Sequence, residues 1–227
     1  MSSEAKTSQP TRLHRGDGPD ASDQDVGQFD RWSLRYERSK WQWLLFDRVH
    51  RRALDLAARF VDPTAVLDVG CGSGRLLRGA HTRWPDARLF GVDPSTGMIE
   101  AGRTLTPGEL RIACAESIPL PDASVDLAFS TISFHHWADA AAGLREVARV
   151  LRPGGHFVLV DNIGPDWLAR YLNDRPYLTL DERVKLWSQN GLRVLEQRSV
   201  LVPLILATVA VRKGPSRFQL DAGRGGS

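Results

Sequence analysis

Cysteine is scarce in this chain. Cys71 and Cys114 are its two copies, and two thiols exclude a disulfide framework or a cysteine-rich zinc site. No run approaches the roughly 20 uncharged apolar residues that cross a bilayer, so membrane insertion is not expected. The opening stretch, MSSEAKTSQPTRLHRGDGPDASDQD, lacks an apolar segment. No secretory signal is expected from it, and a reducing, cytoplasmic setting follows. Internal repeats are missing too. So are blocks of one charge: 30 basic residues are interleaved with 27 acidic ones for a net charge of +3. Nucleic-acid binders gather basic residues into a stripe or tail, so no nucleic-acid partner is expected.

What is present is an ordinary globular composition, 42% hydrophobic and 25% charged over 227 residues, enough for one buried core. Residues 1–26 are polar and rich in Ser, Asp, Gly and Pro, and 214–227 are similar. Both are expected to be disordered tails around one domain at 27–213. Trp41, Leu45, Val49, Ala53, Leu56 and Phe60 recur at steps of three and four, which predicts a helix ending before Pro63. With Phe29, Trp32, Tyr36, Trp43 and Phe46 around it, this segment predicts a helical cap at 29–60. Beyond it, short apolar runs alternate with helical stretches. Strands are expected at 65–70, 87–93, 109–115, 125–133 and 156–161, and helices at 75–85, 96–105, 138–151 and 181–190. Two final strands, 192–200 and 204–212, are joined too tightly to be parallel. The alternation predicts a mostly parallel α/β sheet wound on both faces, with ligands at the carboxyl ends of its strands.

The segment VLDVGCGSGRLL lies at the end of the first such strand. Side chains at Gly70, Gly72 and Gly74 would block a ligand's approach to the backbone. A dinucleotide needs Gly-x-Gly-x-x-Gly. Counting from Gly70 puts Arg75 at the third glycine, and counting from Gly72 puts Leu77 there, so a nicotinamide dehydrogenase is excluded. Asp68, two residues before the turn, would repel pyrophosphate but suits an ammonium group. Asp93 ends the second strand, where a carboxylate accepts from both ribose hydroxyls. Together they describe a nucleoside that carries an amino acid and no phosphate, as S-adenosylmethionine does.

VLDVGCGSG, FGVDPSTGMI, ESIPLPDASVDLAFS and LRPGGHFVLVD resemble, in order and spacing, the motifs of class I S-adenosylmethionine-dependent methyltransferases. The likeness runs over about 29–213 and is greatest to the small-molecule branch that includes the quinone-biosynthesis C-methyltransferases. It implies a Rossmann-like, doubly wound α/β sheet of seven strands with the last antiparallel. It also implies site roles. Asp68 would orient the methionine amino end, Gly70 and Gly72 would allow close approach, and Asp93 would bind the ribose. Met98 would pack on the adenine face, the Ala115 N–H would meet the adenine edge, and Ser130 would pass beneath the methionine. Tyr36, in FDRWSLRYE, would reach the methionine carboxylate. Where the family commonly carries an Asp that accepts from the adenine amino group, this chain has Cys114, a weak acceptor. Its place in the expected third strand predicts a buried, structural thiol.

In-line methyl transfer depends mainly on alignment, with a base where the acceptor carries a proton. His135 and His136, in SFHHWAD after the fourth strand, are the candidate bases, or one of them caps or packs structurally. Asp161 and Asn162 follow the fifth strand where metal-dependent catechol methyltransferases hold their metal. No third carboxylate accompanies them, and no metal is expected. Trp32, Tyr36, Trp41, Phe134, Trp137, Trp167 and Tyr171 suggest an aromatic chamber, with 162–180 enclosing a flat or greasy small-molecule methyl acceptor. Arginine far outnumbers lysine, consistent with a GC-rich genome and secondary metabolism. Two alternatives remain open at this point: a cyclase or isomerase that uses the sulfonium charge, and a non-catalytic binding protein of the same fold.

Overall fold

The computed structural model describes residues 40–162, 180–201 and 205–214. The expected tail at 1–26 lies outside them, as does that at 214–227 except for its first residue. So do the cap residues 29–39 with Trp32 and Tyr36, and the acceptor segment with Trp167 and Tyr171.

Helix α1 (Lys40–Ala57) leads into β1 (Ala65–Val69), α2 (Arg75–Arg83), β2 (Arg88–Asp93), α3 (Thr96–Arg103), β3 (Glu109–Ile112) and β4 (Val125–Thr131). A short 3-10 turn (Phe134–His136) follows, then α4 (Ala140–Val150), β5 (Leu151–Asn162), α5 (Leu180–Gln189), β6 (Leu192–Leu201) and β7 (Ile205–Arg212). The strands form one seven-stranded sheet in the order β3-β2-β1-β4-β5-β7-β6. β7 pairs antiparallel with both β5 and β6, and every other pairing is parallel. This is the expected doubly wound sheet, and strand order reverses between β1 and β4.

Strand periodicity divides the core into two layers. Val66, Leu127, Phe129, Val158 and Val160 face the side covered by Val49 and Ala53 of α1, Leu76 and Leu77 of α2, and Ile99 of α3. Leu67, Ala128, Phe157 and Leu159 face Leu144 and Val147 of α4 and Trp187 of α5. All five residues of β1 are buried. Val66, Leu67 and Val69 each contribute roughly 1.5–3 kcal/mol, so this strand is the rigid support for the turn that follows it. No helix among the described residues is long and apolar enough to cross a membrane.

Three element limits differ from expectation by three residues or more. β5 begins at Leu151, because Leu151 pairs with Val125 before Arg152-Pro-Gly-Gly bulges out, with Gly154 at φ +82°, and pairing with β4 resumes at His156 opposite Leu127. β3 ends at Ile112, and Ala113 continues only as a single bond from its N–H to the Asp93 carbonyl. α1 stops at Ala57, three residues before the Phe60 that closes its apolar stripe.

Candidate functional site

The turn after β1 is held by the strands on either side. Gly70 and Cys71 both donate their N–H to the Val92 carbonyl at the end of β2 (2.8 and 3.0 Å). The Asp93 carboxylate accepts from the Gly72 N–H (2.8 Å) through one oxygen and from the Ser95 N–H (2.9 Å) through the other. From the β4 side, the Ser133 hydroxyl donates to the Val69 carbonyl (3.0 Å) and shares a 2.7 Å hydrogen bond with Ser130. Neighbouring Ile132 has φ +52°, a left-handed conformation that is strained for a β-branched residue.

A cavity of about 250 Å³ opens over this turn. Gly70, Gly72, Asp68, Asp93, Met98, Cys114, Ala115 and His136 all contribute to its wall, which the structure therefore gathers from the ends of β1, β2, β3 and β4. The glycines are not equivalent within it. A Cβ on Gly70 (φ +75°) would lie 2.4 Å from the Ser133 hydroxyl, and one on Gly74 would lie 2.6 Å from Thr106. A Cβ on Gly72 (φ +52°) would meet only the Met98 sulfur at 3.9 Å. Side-chain-free approach from the cavity is therefore a property of Gly72, while Gly70 and Gly74 make room for the protein's own side chains.

Asp68 is 1% exposed, and its Oδ1 is buried without a hydrogen-bond partner among the described residues. Burial, and then the charge of Asp93, raise its carboxyl to about 8. An uncompensated carboxylate facing a cavity is costly, and a cationic hydrogen-bond donor removes the cost. Across the cavity α1 supplies Phe46 and His50, and α2 supplies Arg75, whose guanidinium lies 3.7 Å from Asp47. His50 Nδ1 is likewise buried without a partner among the described residues. Burial, with the Arg75 and Arg78 charges, lowers this imidazole to about 4, so it is neutral. Three lining acids, Asp68, Asp93 and Glu116, disfavour a pyrophosphate, whereas Asp68, once ionised, and Arg75 offer opposite charges to a zwitterion.

Other expected residues lie elsewhere. Ser130 is fully buried and absent from the cavity wall, its hydroxyl committed to Ser133; Thr131, Ile132 and Ser133 line the cavity there. Phe134 packs in the core with its ring centroid 4.8 Å from that of Trp137, and Trp137 alone of this pair lines the cavity. Cys114 corrects the expectation of a buried strand thiol: with β3 ending at Ile112, it sits in the following loop and is exposed. The buried thiol is Cys71, pushed well above its ordinary range by burial and by Asp68 and Asp93. His135 lies outside the cavity wall and bonds Asp161 through Nδ1 at 2.9 Å. Asp161, considered above as a metal ligand, is thus turned to an imidazole. Sequence reasoning missed His50 and Arg75, and named Phe46 only as an aromatic of the helical cap. His50 and Phe46 carried a readable signal, since both fall on one side of the amphipathic helix.

Residues 67–159 match the methyltransferase-domain family. Over 105 residues the chain is 41% identical to the malonyl-(acyl-carrier protein) O-methyltransferase of Dechloromonas aromatica (strain RCB), covering 46% of this chain and 38% of that protein. It is 29% identical over 197 residues to the trans-aconitate 2-methyltransferase of Azoarcus sp. (strain BH72), covering 74% and 78%. Among solved structures it superposes on a chain from the complex between the Haloferax volcanii Trm112 methyltransferase activator and a methyltransferase. That match has a TM-score of 0.71 at 26% identity and covers 82% of this chain and 98% of that one. The chain thus spans well under half the length of the first of these relatives, although it matches most of the other two.

Proposed function

We propose that the chain is a class I S-adenosylmethionine-dependent methyltransferase and moves the methyl group of S-adenosylmethionine to a small acceptor, a reading supported by the methyltransferase-domain match and the relatives above. The observation that carries this reading is the buried Asp68 Oδ1, without a hydrogen-bond partner among the described residues, beside the open face of Gly72. That pair asks for a cation brought close to bare backbone, and the amino end of the cosubstrate is such a cation.

In this reading Asp68 accepts from the ammonium, and Arg75 faces the carboxylate together with Tyr36. Asp93, which also accepts from the Gly72 and Ser95 N–H groups, accepts from the ribose. Met98 packs on the adenine face, with the Ala115 N–H and Cys114 at its edge. Gly70 contributes indirectly, by letting Ser133 close the turn. Ser130 contributes indirectly as well, by holding Ser133. When bound, the cosubstrate supplies an electrophilic methyl on a sulfur that leaves without protonation. What remains for the protein is alignment and exclusion of water, with His135 or His136 as base where the acceptor carries a proton.

The acceptor is proposed to be an aromatic or apolar metabolite, supported by Trp137 and Phe46 in the cavity wall. The relatives named for malonyl-(acyl-carrier protein) and trans-aconitate place acids beside that reading as competitors. Calorimetric titration with S-adenosylhomocysteine tests the cosubstrate site, and no heat at millimolar ligand removes the proposal. Incubating labelled S-adenosylmethionine with phenols, enols and acids then identifies the acceptor by a mass gain of one CH2.

A further inference from the structure

The sheet order limits where an acceptor can stand. The ends of β1, β2, β3 and β4 build the cavity, so the cosubstrate is expected on that side of the sheet and β5 stands next to it. At the β5 edge of this cavity, His135 in the turn after β4 meets Asp161 near the end of β5. The two are joined twice. Asp161 Oδ1 lies 2.9 Å from His135 Nδ1, and Asp161 Oδ2 accepts from the His135 backbone N–H at 3.2 Å. The Asp161 side chain is 2% exposed and that of His135 is 24% exposed. The carboxylate is therefore enclosed while the imidazole reaches solvent. The His135 ring centroid is 4.0 Å from that of His136, which lines the cavity. His135 therefore packs against a residue of the cavity wall.

Resting on the methyl-transfer reading above, we propose that Asp161 is the positioning residue for His135 as general base, and that the acceptor is a neutral hydroxyl rather than a carboxylate. A carboxylate offers only acceptors, so the hydrogen shared with a neutral His135 sits on Nδ1. The lone pair then lies on Nε2, on the opposite edge of the ring. The second bond, to the backbone N–H, fixes where the ring starts and so where Nε2 points. During transfer, Nε2 takes the hydroxyl proton while the oxygen's electron pair forms the new O–CH3 bond. The C–S pair stays on sulfur, and the resulting imidazolium stands beside the Asp161 charge until it returns its proton to water. An ionised carboxylate acceptor has no proton to lose and gives this pair no task.

The pair is tested in the full chain saturated with S-adenosylhomocysteine, by long-range nitrogen–proton correlation of the histidine rings. His135, assigned by its loss in His135→Gln, is expected as the Nδ1–H tautomer. Asp161→Asn is expected to abolish that preference and leave the S-adenosylhomocysteine dissociation constant within about twofold. An Nε2–H tautomer in the parent chain, or an unchanged tautomer in Asp161→Asn, overturns the proposal. Failure of S-adenosylhomocysteine to bind the parent chain overturns the methyl-transfer reading instead. Activity gives the second measurement, with catechol and acetylacetone as hydroxyl probes and trans-aconitate as carboxylate probe. Asp161→Asn is expected to lower kcat on a hydroxyl probe at least 30-fold with KM for S-adenosylmethionine unchanged, and Asp161→Glu to recover part of that loss. Methylation of trans-aconitate alone, insensitive to Asp161→Asn, overturns the assignment of acceptor class. If no probe is methylated, the tautomer measurement by itself decides whether the pair stands or falls.

Discussion

Asp68 is where a single atom sets the behaviour of the site. Its free-chain carboxyl is raised to about 8 by burial and by Asp93, whereas an unfolded carboxyl ionises near 4. Between those two values the folded chain holds a proton that the unfolded chain has lost, so this residue's contribution to stability falls as pH rises from about 4 to about 8. Asp68→Asn cannot ionise. In the ligand-free protein at pH 8 it is expected to raise Tm, by about 2–4 °C for each kcal/mol recovered. The same variant loses a charge-assisted bond of roughly 1.5–3 kcal/mol, so S-adenosylhomocysteine affinity should fall about 10- to 150-fold by calorimetry. A variant that weakens the fold yet binds normally would contradict both halves of this account. The glycines separate in a comparable way. Gly70→Ala forces a Cβ to 2.4 Å from the Ser133 hydroxyl and should cost about 3–5 kcal/mol in urea unfolding. Gly72→Ala meets no such obstacle, should cost about 1–2 kcal/mol for its left-handed backbone, and should lose affinity by more than tenfold. The sequence order made Asp68, Asp93 and Gly72 readable, because each sits at a strand end that the pattern located. Local spacing could not reveal that Ser133 fills the space beside Gly70, nor that Asp161 faces His135, since both contacts join different strands.

At the scale of elements, the long connection from β3 to β4 carries Cys114, Ala115 and Glu116 into the cavity wall without regular structure of its own. Arg149 on α4 is what holds it. Its guanidinium donates to the carbonyls of Ile118 and Leu120 (both 2.8 Å) and to Asp122 (2.7 Å), and it is braced by Glu146, which also accepts from the Ile118 N–H. The forked, planar donor set matters more than its charge. Arg149→Lys should therefore behave nearly as badly as Arg149→Ala, each losing about 2–4 kcal/mol of stability by denaturant titration. Faster proteolysis within 114–122 should accompany that loss, and a lysine variant indistinguishable from the parent chain would remove the argument. Elements with a complete apolar period were visible in the sequence: β1, β2, β4, α4 and the β6–β7 pair fall within a few residues of expectation. The misjudged ends have a common cause. At β3 and β5 the limits depend on pairing with a neighbour, through Asp93–Ile112 and through the Val125–Leu127 irregularity, and pairing leaves no mark in the composition of one strand.

For the molecule as a whole, the two core layers meet at β1, and the ligand turn grows directly from that strand. Occupancy should therefore be felt by the entire cooperative unit. S-adenosylhomocysteine at 100 times its dissociation constant is expected to add about 2.7 kcal/mol and raise Tm by about 5–10 °C. The gain should grow between pH 6 and 8, because an ammonium partner favours the ionised Asp68 and binding then releases the proton that the free chain retains. A shift independent of pH across that range would mean that the ligand's cation is held elsewhere. The two cysteines supply a readout that needs neither acceptor nor label. One thiol is enclosed and strongly resistant to ionisation; the other stands at the rim where the purine edge is expected. A mild alkylating reagent at neutral pH should therefore mark this protein once, at Cys114, and slow as the nucleoside fills the chamber, turning the family's missing aspartate into a gauge of vacancy.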